Sequence, residues 1–268
     1  MKYEIGANLS TLKNKVTSLG FGTSSYITGA YATFVGQEIG QFYGWVYEGI
    51  ARTQEDLDNH ATQQGANVGD CLYQDVSGPD GTPDGKIDEN DQVVLGSGLP
   101  KVNFGINARL EYKNFDLSIS TYGALNYHVS DDIYNSLNSA YGWGNRDVRM
   151  LDANRFSEDG KTYLSDVPRT YATNNAGMPW NDLFSSRKIQ NAAYWKIANV
   201  ELGCNLPDKW FGGYVSGVRA YISAQNLYTF TGYHGYNVDY AGGTFTPGYN
   251  FSSFPSARSL MCGIHFTF

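Results

Sequence analysis

"KVNFGINARLEYKNFDLSIS", Lys101–Ser120, decides the fold. Val102, Phe104, Ile106, Ala108, Leu110 and Tyr112 fall on one side of an extended chain. Lys101, Asn103, Gly105, Asn107, Arg109, Glu111 and Lys113 fall on the other. Neighbouring side chains of a β-strand point to opposite faces, so this is a strand with one apolar and one polar face. The pattern resumes directly after Lys113–Asn114, where Phe115, Leu117 and Ile119 oppose Asp116, Ser118 and Ser120. Two alternating runs parted by a two-residue turn read as an antiparallel hairpin.

The same sorting recurs elsewhere. Tyr3, Ile5, Ala7 and Leu9 oppose Lys2, Glu4, Gly6, Asn8 and Ser10. Val218, Ala220, Ile222 and Ala224 oppose Arg219, Tyr221, Ser223 and Gln225. Leu260, Cys262, Ile264, Phe266 and Phe268 oppose Ser259, Met261, Gly263, His265 and Thr267. Such runs exceed the ~5–6 residues of an ordinary strand and match the ~9–11 that a tilted strand needs to cross a bilayer. The spacing predicts eight strands, at about 2–14, 24–35, 41–50, 99–112, 115–129, 191–204, 215–229 and 257–268. Long connections at 51–98, 130–190 and 230–256 alternate with short ones near 36–40, 113–114 and 205–214. Outer-membrane barrels pair short periplasmic turns with long extracellular loops. The expected class is therefore all-β, an antiparallel up-and-down transmembrane barrel segment, with its carboxyl end on the periplasmic side.

Composition agrees with this class and narrows the rest. Charged residues are 17%, aromatics 15%, and there are 21 Tyr and 31 Gly among 268 residues, a profile poor in helix formers. It suits secreted β-proteins as well as barrels with aromatic girdles. A net charge of −7 without a Lys/Arg run argues against nucleic acid as a partner. No apolar stretch is long enough for a transmembrane helix, which says nothing about crossing with strands. The opening "MKYEIGANLS" lacks the apolar core of a signal peptide and reads as mid-strand. Cys71, Cys204 and Cys262 are far apart; they form no disulfide framework or zinc pattern, and allow one disulfide or free thiols.

Little points to catalysis. His60, His128, His234 and His265 are scattered outside any metalloprotease spacing, and no nucleophile-elbow motif is present. Acid pairs such as Glu55/Asp56 occur in any acidic loop. No enzymatic role is expected.

The most site-like stretch is "GPDGTPDGKIDEND", Gly78–Asp91. Aligned to a twelve-residue calcium loop, the ligands are Asp80, Thr82, Asp84, the carbonyl of Lys86, Asp88 and Asp91, with Gly85 at the sharp turn and Ile87 packing inward. Ca2+ or another hard cation would order the loop rather than do chemistry. Asp91 is shorter than the usual bidentate Glu, Pro83 is unusual in such a loop, and no helices flank it, so this is not an EF-hand. The plainer reading is a solvated acidic turn. On the polar face, Arg109, Arg219 and Gln225 are expected to line a lumen. In the loop 130–190, Tyr134, Tyr141, Trp143, Tyr163, Tyr171 and Trp180 either stack on a substrate or partner, or pack on one another.

At the carboxyl end, Gly263, Phe266 and Phe268 resemble the β-signal read by the barrel assembly machinery. Larger segments carry a family resemblance: "VGQEIGQFYGWVYEGI" (Val35–Ile50), the stretch from Gly69 to Ile119, "AAYWKIANVELGCNLPDKW" (Ala192–Trp210), "RAYISAQNLYTFTGYHGYNVD" (Arg219–Asp239) and "PSARSLMCGIHFTF" (Pro255–Phe268). In this order they resemble the C-terminal barrel portion of SusC/RagA-type TonB-dependent outer-membrane transporters. The resemblance implies a 22-stranded barrel with an N-terminal plug, a lid made by a SusD-like surface lipoprotein, energy from the TonB complex, and glycan or peptide substrates. Residues 1–268 would be roughly the last third of such a barrel, embedded in outer-membrane lipid, with plug and TonB box absent. An open arc leaves unpaired strand edges, so the segment is not expected to transport alone. The alternative is a secreted, calcium-stabilised, β-rich module that binds glycan.

Overall fold

A computed structural model describes the chain except for residues 21, 79, 141–144, 171–179, 208–209, 211–214, 216, 240–241, 252 and 268. In chain order the strands are β1 (Lys2–Thr11), β2 (Ser25–Thr28), β3 (Tyr31–Phe34), β4 (Gln41–Gly44), β5 (Tyr47–Ile50), β6 (Cys71–Tyr73), β7 (Val93–Ser97), β8 (Val102–Tyr112), β9 (Phe115–Leu125), β10 (His128–Asp131), β11 (Gln190–Asn191), β12 (Tyr194–Leu206), β13 (Gly217–Thr231), β14 (Tyr249–Asn250) and β15 (Ser259–Thr267). Short helices α1 (Gln54–Asp58) and α2 (Asp132–Leu137) lie in the connections.

Six long strands make one antiparallel wall in the order β1-β8-β9-β12-β13-β15. The expected strands at 24–35 and 41–50 are not part of it. They break into the four-residue β2 to β5, which join β7 and β6 in two small sheets. Gly29 (φ 55°) turns the chain in the left-handed region between β2 and β3, and the chain leaves β4 at Trp45, which bridges Ser185 instead, leaving pieces too short to span a bilayer. One excursion, residues 12–101, therefore joins β1 to its neighbour β8. Removing two strands is an even change, so the sidedness is unaltered. The connections 12–101, 126–193 and 232–258 leave from one end of the wall. The two-residue turn Lys113–Asn114 and the link 207–216 lie at the other.

Register makes the two faces continuous. Ile5, Ala108, Ile119, Val200, Ala224 and Leu260 stand in one row across all six strands. The next row is Glu4, Arg109, Ser118, Glu201, Ser223 and Met261. The apolar face is bare, with Ile5 70%, Ile222 59% and Leu260 77% exposed. A soluble protein rarely leaves so large an apolar patch in water, whereas acyl chains cover it at no such cost. A bulge at Ala198 keeps this face whole. β12 has one more residue than β9 between Ile197 and Asn199, so Ile197 and Val200 share a face despite their odd spacing.

The buried core lies in the long connections, because lipid takes the place of a core for the wall. One cluster holds Ala124, Tyr127, Val129, Ala192, Tyr194, Tyr233 and Val238. A second holds Trp45, Cys71, Tyr73, Ile87 and Trp180. The three excursions interlock: the Ser130 N–H donates to the Gly248 carbonyl at 2.9 Å. Gly98 lies so close to the Pro247 carbonyl that a Cβ there would collide.

Candidate functional site

The polar face of the wall is built by alternate residues of β8, β9, β12 and β13. Near its short-turn end sits a three-strand ion cluster. Arg219 on β13 donates to Asp116 on β9 through Nε at 3.1 Å and a terminal nitrogen at 2.5 Å. The same terminal nitrogen donates to Glu201 on β12 at 2.7 Å. Arg219 spans the intervening strand because Gly203 has no side chain, and the guanidinium lies directly over it. Arg109 faces the same side and pairs with Glu111 at 3.1 Å. Gln225 is also on this face, opposite Asn199 and Ser259, and exposed. All three residues expected to line a lumen share one face, but only Arg219 joins the cluster.

Nearer the long-connection end, Lys196 on β12 is buried and donates to Asp239 at 2.7 Å, and the Tyr122 hydroxyl donates to the same oxygen at 3.1 Å. The connection 232–258 is thereby tied down into the mouth of the wall. The Tyr127 hydroxyl adds a bond to the Val238 carbonyl at 2.8 Å. Beside it, Asp131, Tyr233 and Asn250 form a buried network: Asn250 donates to Asp131 at 3.0 Å and to the Tyr233 hydroxyl at 2.9 Å, and Tyr233 donates to Asp131. The arrangement offers a polar, charged wall face below and ordered loops above. Among the described residues no group of three or more His, Cys, Asp or Glu converges as a metal-ligand set.

Two TonB-dependent receptors of Formosa agariphila are each 28% identical to the chain over 97% of its length. The TonB-dependent receptor SusC of Bacteroides thetaiotaomicron is 23% identical over 74%. A solved RagAB peptide transporter superposes on 99% of the chain with a TM-score of 0.75 at 20% identity. The chain is similar to the SusC/RagA-type TonB-dependent receptors and has their barrel-wall fold. Its place is the bacterial outer membrane. No family model matches it. The chain spans about a quarter of the curated receptors it matches, 26% of each Formosa protein, and 27% of the RagAB chain.

The remaining candidate residues fall out differently in the structure. Trp180 is no lumen or stacking surface. It is 3% exposed, donates its indole N–H to the Gln64 carbonyl at 3.0 Å, and accepts from the Tyr73 hydroxyl. Tyr163 is buried likewise, against Phe156. Tyr134 is half-buried, stacked on His234 at 6.0 Å with Arg149 over its ring. Trp143, Tyr141 and Tyr171 lie outside the described residues. Gly263 sits under the Tyr221 ring, Phe266 faces lipid opposite Val218, and Phe268 lies outside the described residues. All three cysteines are free thiols.

In the acidic loop each carboxylate turns to nearby backbone. Asp91, fully buried, accepts from the N–H groups of Val76 at 2.9 Å, Ser77 at 3.1 Å and Asp88 at 2.8 Å. Asp88 accepts from Asn90, Asp84 from Lys86, and Asp80 from Thr82. The Thr82 hydroxyl also donates to Asp80 and holds its carboxyl below the usual range. Ile87 packs inward with Trp45, whose indole N–H donates to the Asp88 carbonyl at 2.9 Å. As placed, these side chains do not converge on a common point, and calcium at this loop rests on the sequence spacing alone. Sequence reasoning missed Asp75, which accepts from the N–H groups of Asp84 and Gly85. It also missed buried Asp70, which holds Arg169 at 2.5 and 2.9 Å and Asn181 at 2.8 Å. These partners are up to 111 residues apart, and no local pattern marks them.

Proposed function

We propose that this chain forms part of the wall and outer loops of a TonB-dependent importer that takes up glycans or peptides together with a SusD-like lipoprotein. One observation carries the reading: similarity to TonB-dependent receptors runs through 97% of the chain, and the six-stranded wall within it keeps one apolar and one polar face in register. The polar face with its Arg219 cluster lines the passage. The interlocked outer loops meet the substrate and the lipoprotein. The TonB complex acts through parts of the importer beyond this segment. Assembly uses the carboxyl-terminal Gly263, Phe266 and Phe268. The relatives bear receptor and transporter names, which agrees with a non-enzymatic role.

The bare apolar face speaks against a secreted glycan-binding module. The deciding experiment measures uptake of a labelled oligosaccharide or peptide by cells carrying the whole importer. Uptake is expected to stop with an uncoupler, and the lipoprotein to co-purify in detergent. A chain that is monomeric and cooperatively folded without detergent would sink the reading.

A further inference from the structure

β13 outruns its partner. Its pairing with β15 ends at Gln225 opposite Ser259, yet β13 continues against β12 as far as Thr231. Past Gln225 it borders a cleft of about 380 Å³ beneath the connection 232–258, whose lining includes Lys196, Thr229, Thr231, Tyr236, Asn237 and Arg258. The chain has a net charge of −7, but both charged side chains in this lining are cations. Lys196, at the floor, is neutralised by Asp239 at 2.7 Å. Arg258 is exposed at the mouth and makes no ion pair among the described residues. Six of the other eight arginines, Arg52, Arg109, Arg149, Arg155, Arg169 and Arg219, each hold a carboxylate, while Arg146 and Arg187 share with Arg258 the lack of an ion pair among the described residues.

An unpaired guanidinium offers a planar fork of N–H donors that fits a carboxylate, sulfate or phosphate. Hydroxyls of Thr229 and Tyr236 and the amide of Asn237 supply neutral donors around it. The Tyr236 ring, 60% exposed, adds an apolar face. We propose that this cleft binds an oxyanion-bearing ligand, with Arg258 as the gripping residue. Calling that ligand a substrate rests on the importer reading; the site itself does not. The same chemistry has two sources, a dissolved acidic saccharide or a phosphorylated lipid headgroup at the membrane rim.

Calorimetric titration of the full chain folded in detergent tests it, with three probes: digalacturonate, its neutral dimethyl ester, and lipid A in mixed micelles. Digalacturonate is expected to bind at least tenfold more tightly than the ester, with affinity falling as salt rises. Arg258→Ala is expected to lose at least tenfold and Arg258→Lys to recover only part. Arg258 is exposed and unpaired, so these variants leave the fold intact. Arg258-dependent preference for lipid A would assign the site to a headgroup. Equal binding of acid and ester together with Arg258-independent lipid A binding, or no binding of any probe, overturns the proposal. Arg258-dependent binding by a chain whose importer shows no energised uptake would separate the two readings. Uptake of neutral substrate indifferent to Arg258→Ala, with no anion binding, would leave the importer reading standing without this site.

Discussion

Arg219 reaches Asp116 across a strand that lies between them. The bidentate contact, at 3.1 and 2.5 Å, passes over the bare backbone of Gly203. A Cβ at residue 203 would displace the guanidinium, which is the flexible end of a long side chain and can swing away. The cost of Gly203→Ala is thus the lost hydrogen bonds, ~1–3 kcal/mol, rather than a backbone clash. Urea unfolding in detergent micelles of Gly203→Ala, Arg219→Ala and the double variant checks this. Once Arg219 is gone, Gly203→Ala is expected to cost little; simple additivity would contradict the account.

Asp91 anchors the acidic loop. Replacing it with Ala leaves three backbone N–H groups without their acceptor, which costs ~2–4 kcal/mol locally. Asp84→Ala removes one exposed contact and is expected to cost under about 0.5 kcal/mol. Hydrogen exchange at Val76, Ser77 and Asp88 reads the difference directly. A calcium titration on the same variants settles the cation: binding heat that disappears in Asp84→Ala establishes the site, and equal or absent heat removes it.

Thiol chemistry separates core from lipid face. Burial pushes the Cys71 thiol up to about 12, so almost no thiolate exists at neutral pH. Cys204 and Cys262 lie on the apolar face with Ala220 and Ile222 between them. In a bilayer, a charged water-soluble maleimide is expected to label none of the three, and an apolar maleimide to label Cys262. Rapid labelling of Cys71 before unfolding would refute its buried placement.

His128 makes the interlocked loops sensitive to acid. Burial lowers its pKa below the ordinary 6.5, and its ring rests against Gly96, where a Cβ would come within 2.8 Å. The folded state keeps the ring neutral, while the unfolded chain takes up a proton below about pH 6.5. Its contribution is therefore intact above that value and is lost as pH falls toward the depressed folded value. Limited proteolysis from pH 8 to pH 5 is expected to show loop cleavage rising below pH 6.5. His128→Gln should flatten that rise; an unchanged profile would point to other groups.

The wall was legible because its information is local. Period-two sorting in Tyr3–Leu9, Val102–Ile119 and Val218–Ala224 assigns each residue to a face without any knowledge of its neighbours. The two-residue turn at Lys113–Asn114 fixes the pairing of β8 with β9. Ile87, spaced like the inward residue of a calcium loop, does pack inward. The failures share a cause as well. Residues 24–50 have strand-like composition, but the turn at Gly29 and the break at Trp45, which bridges Ser185, cut them into pieces too short to span, and only tertiary packing shows them inside an excursion. Trp180 could be a stacking platform or a core residue from sequence alone; the carbonyl of Gln64 and the ring of Tyr73 made it core.

By itself the amino-acid sequence determined the class of this chain, the membership of each face, and the end from which its long loops leave. Those properties follow from alternation along one strand and the lengths between strands. Tertiary structure alone decided which strands are neighbours beyond the β8–β9 hairpin, that Arg219 crosses Gly203 to Asp116, that Lys196 is answered by Asp239, and that Arg258 is left without an ion-pair partner among the described residues. Charge pairs form wherever folding brings opposite charges within a few ångströms, and separation along the chain, here 103 residues between Asp116 and Arg219, has no part in that distance.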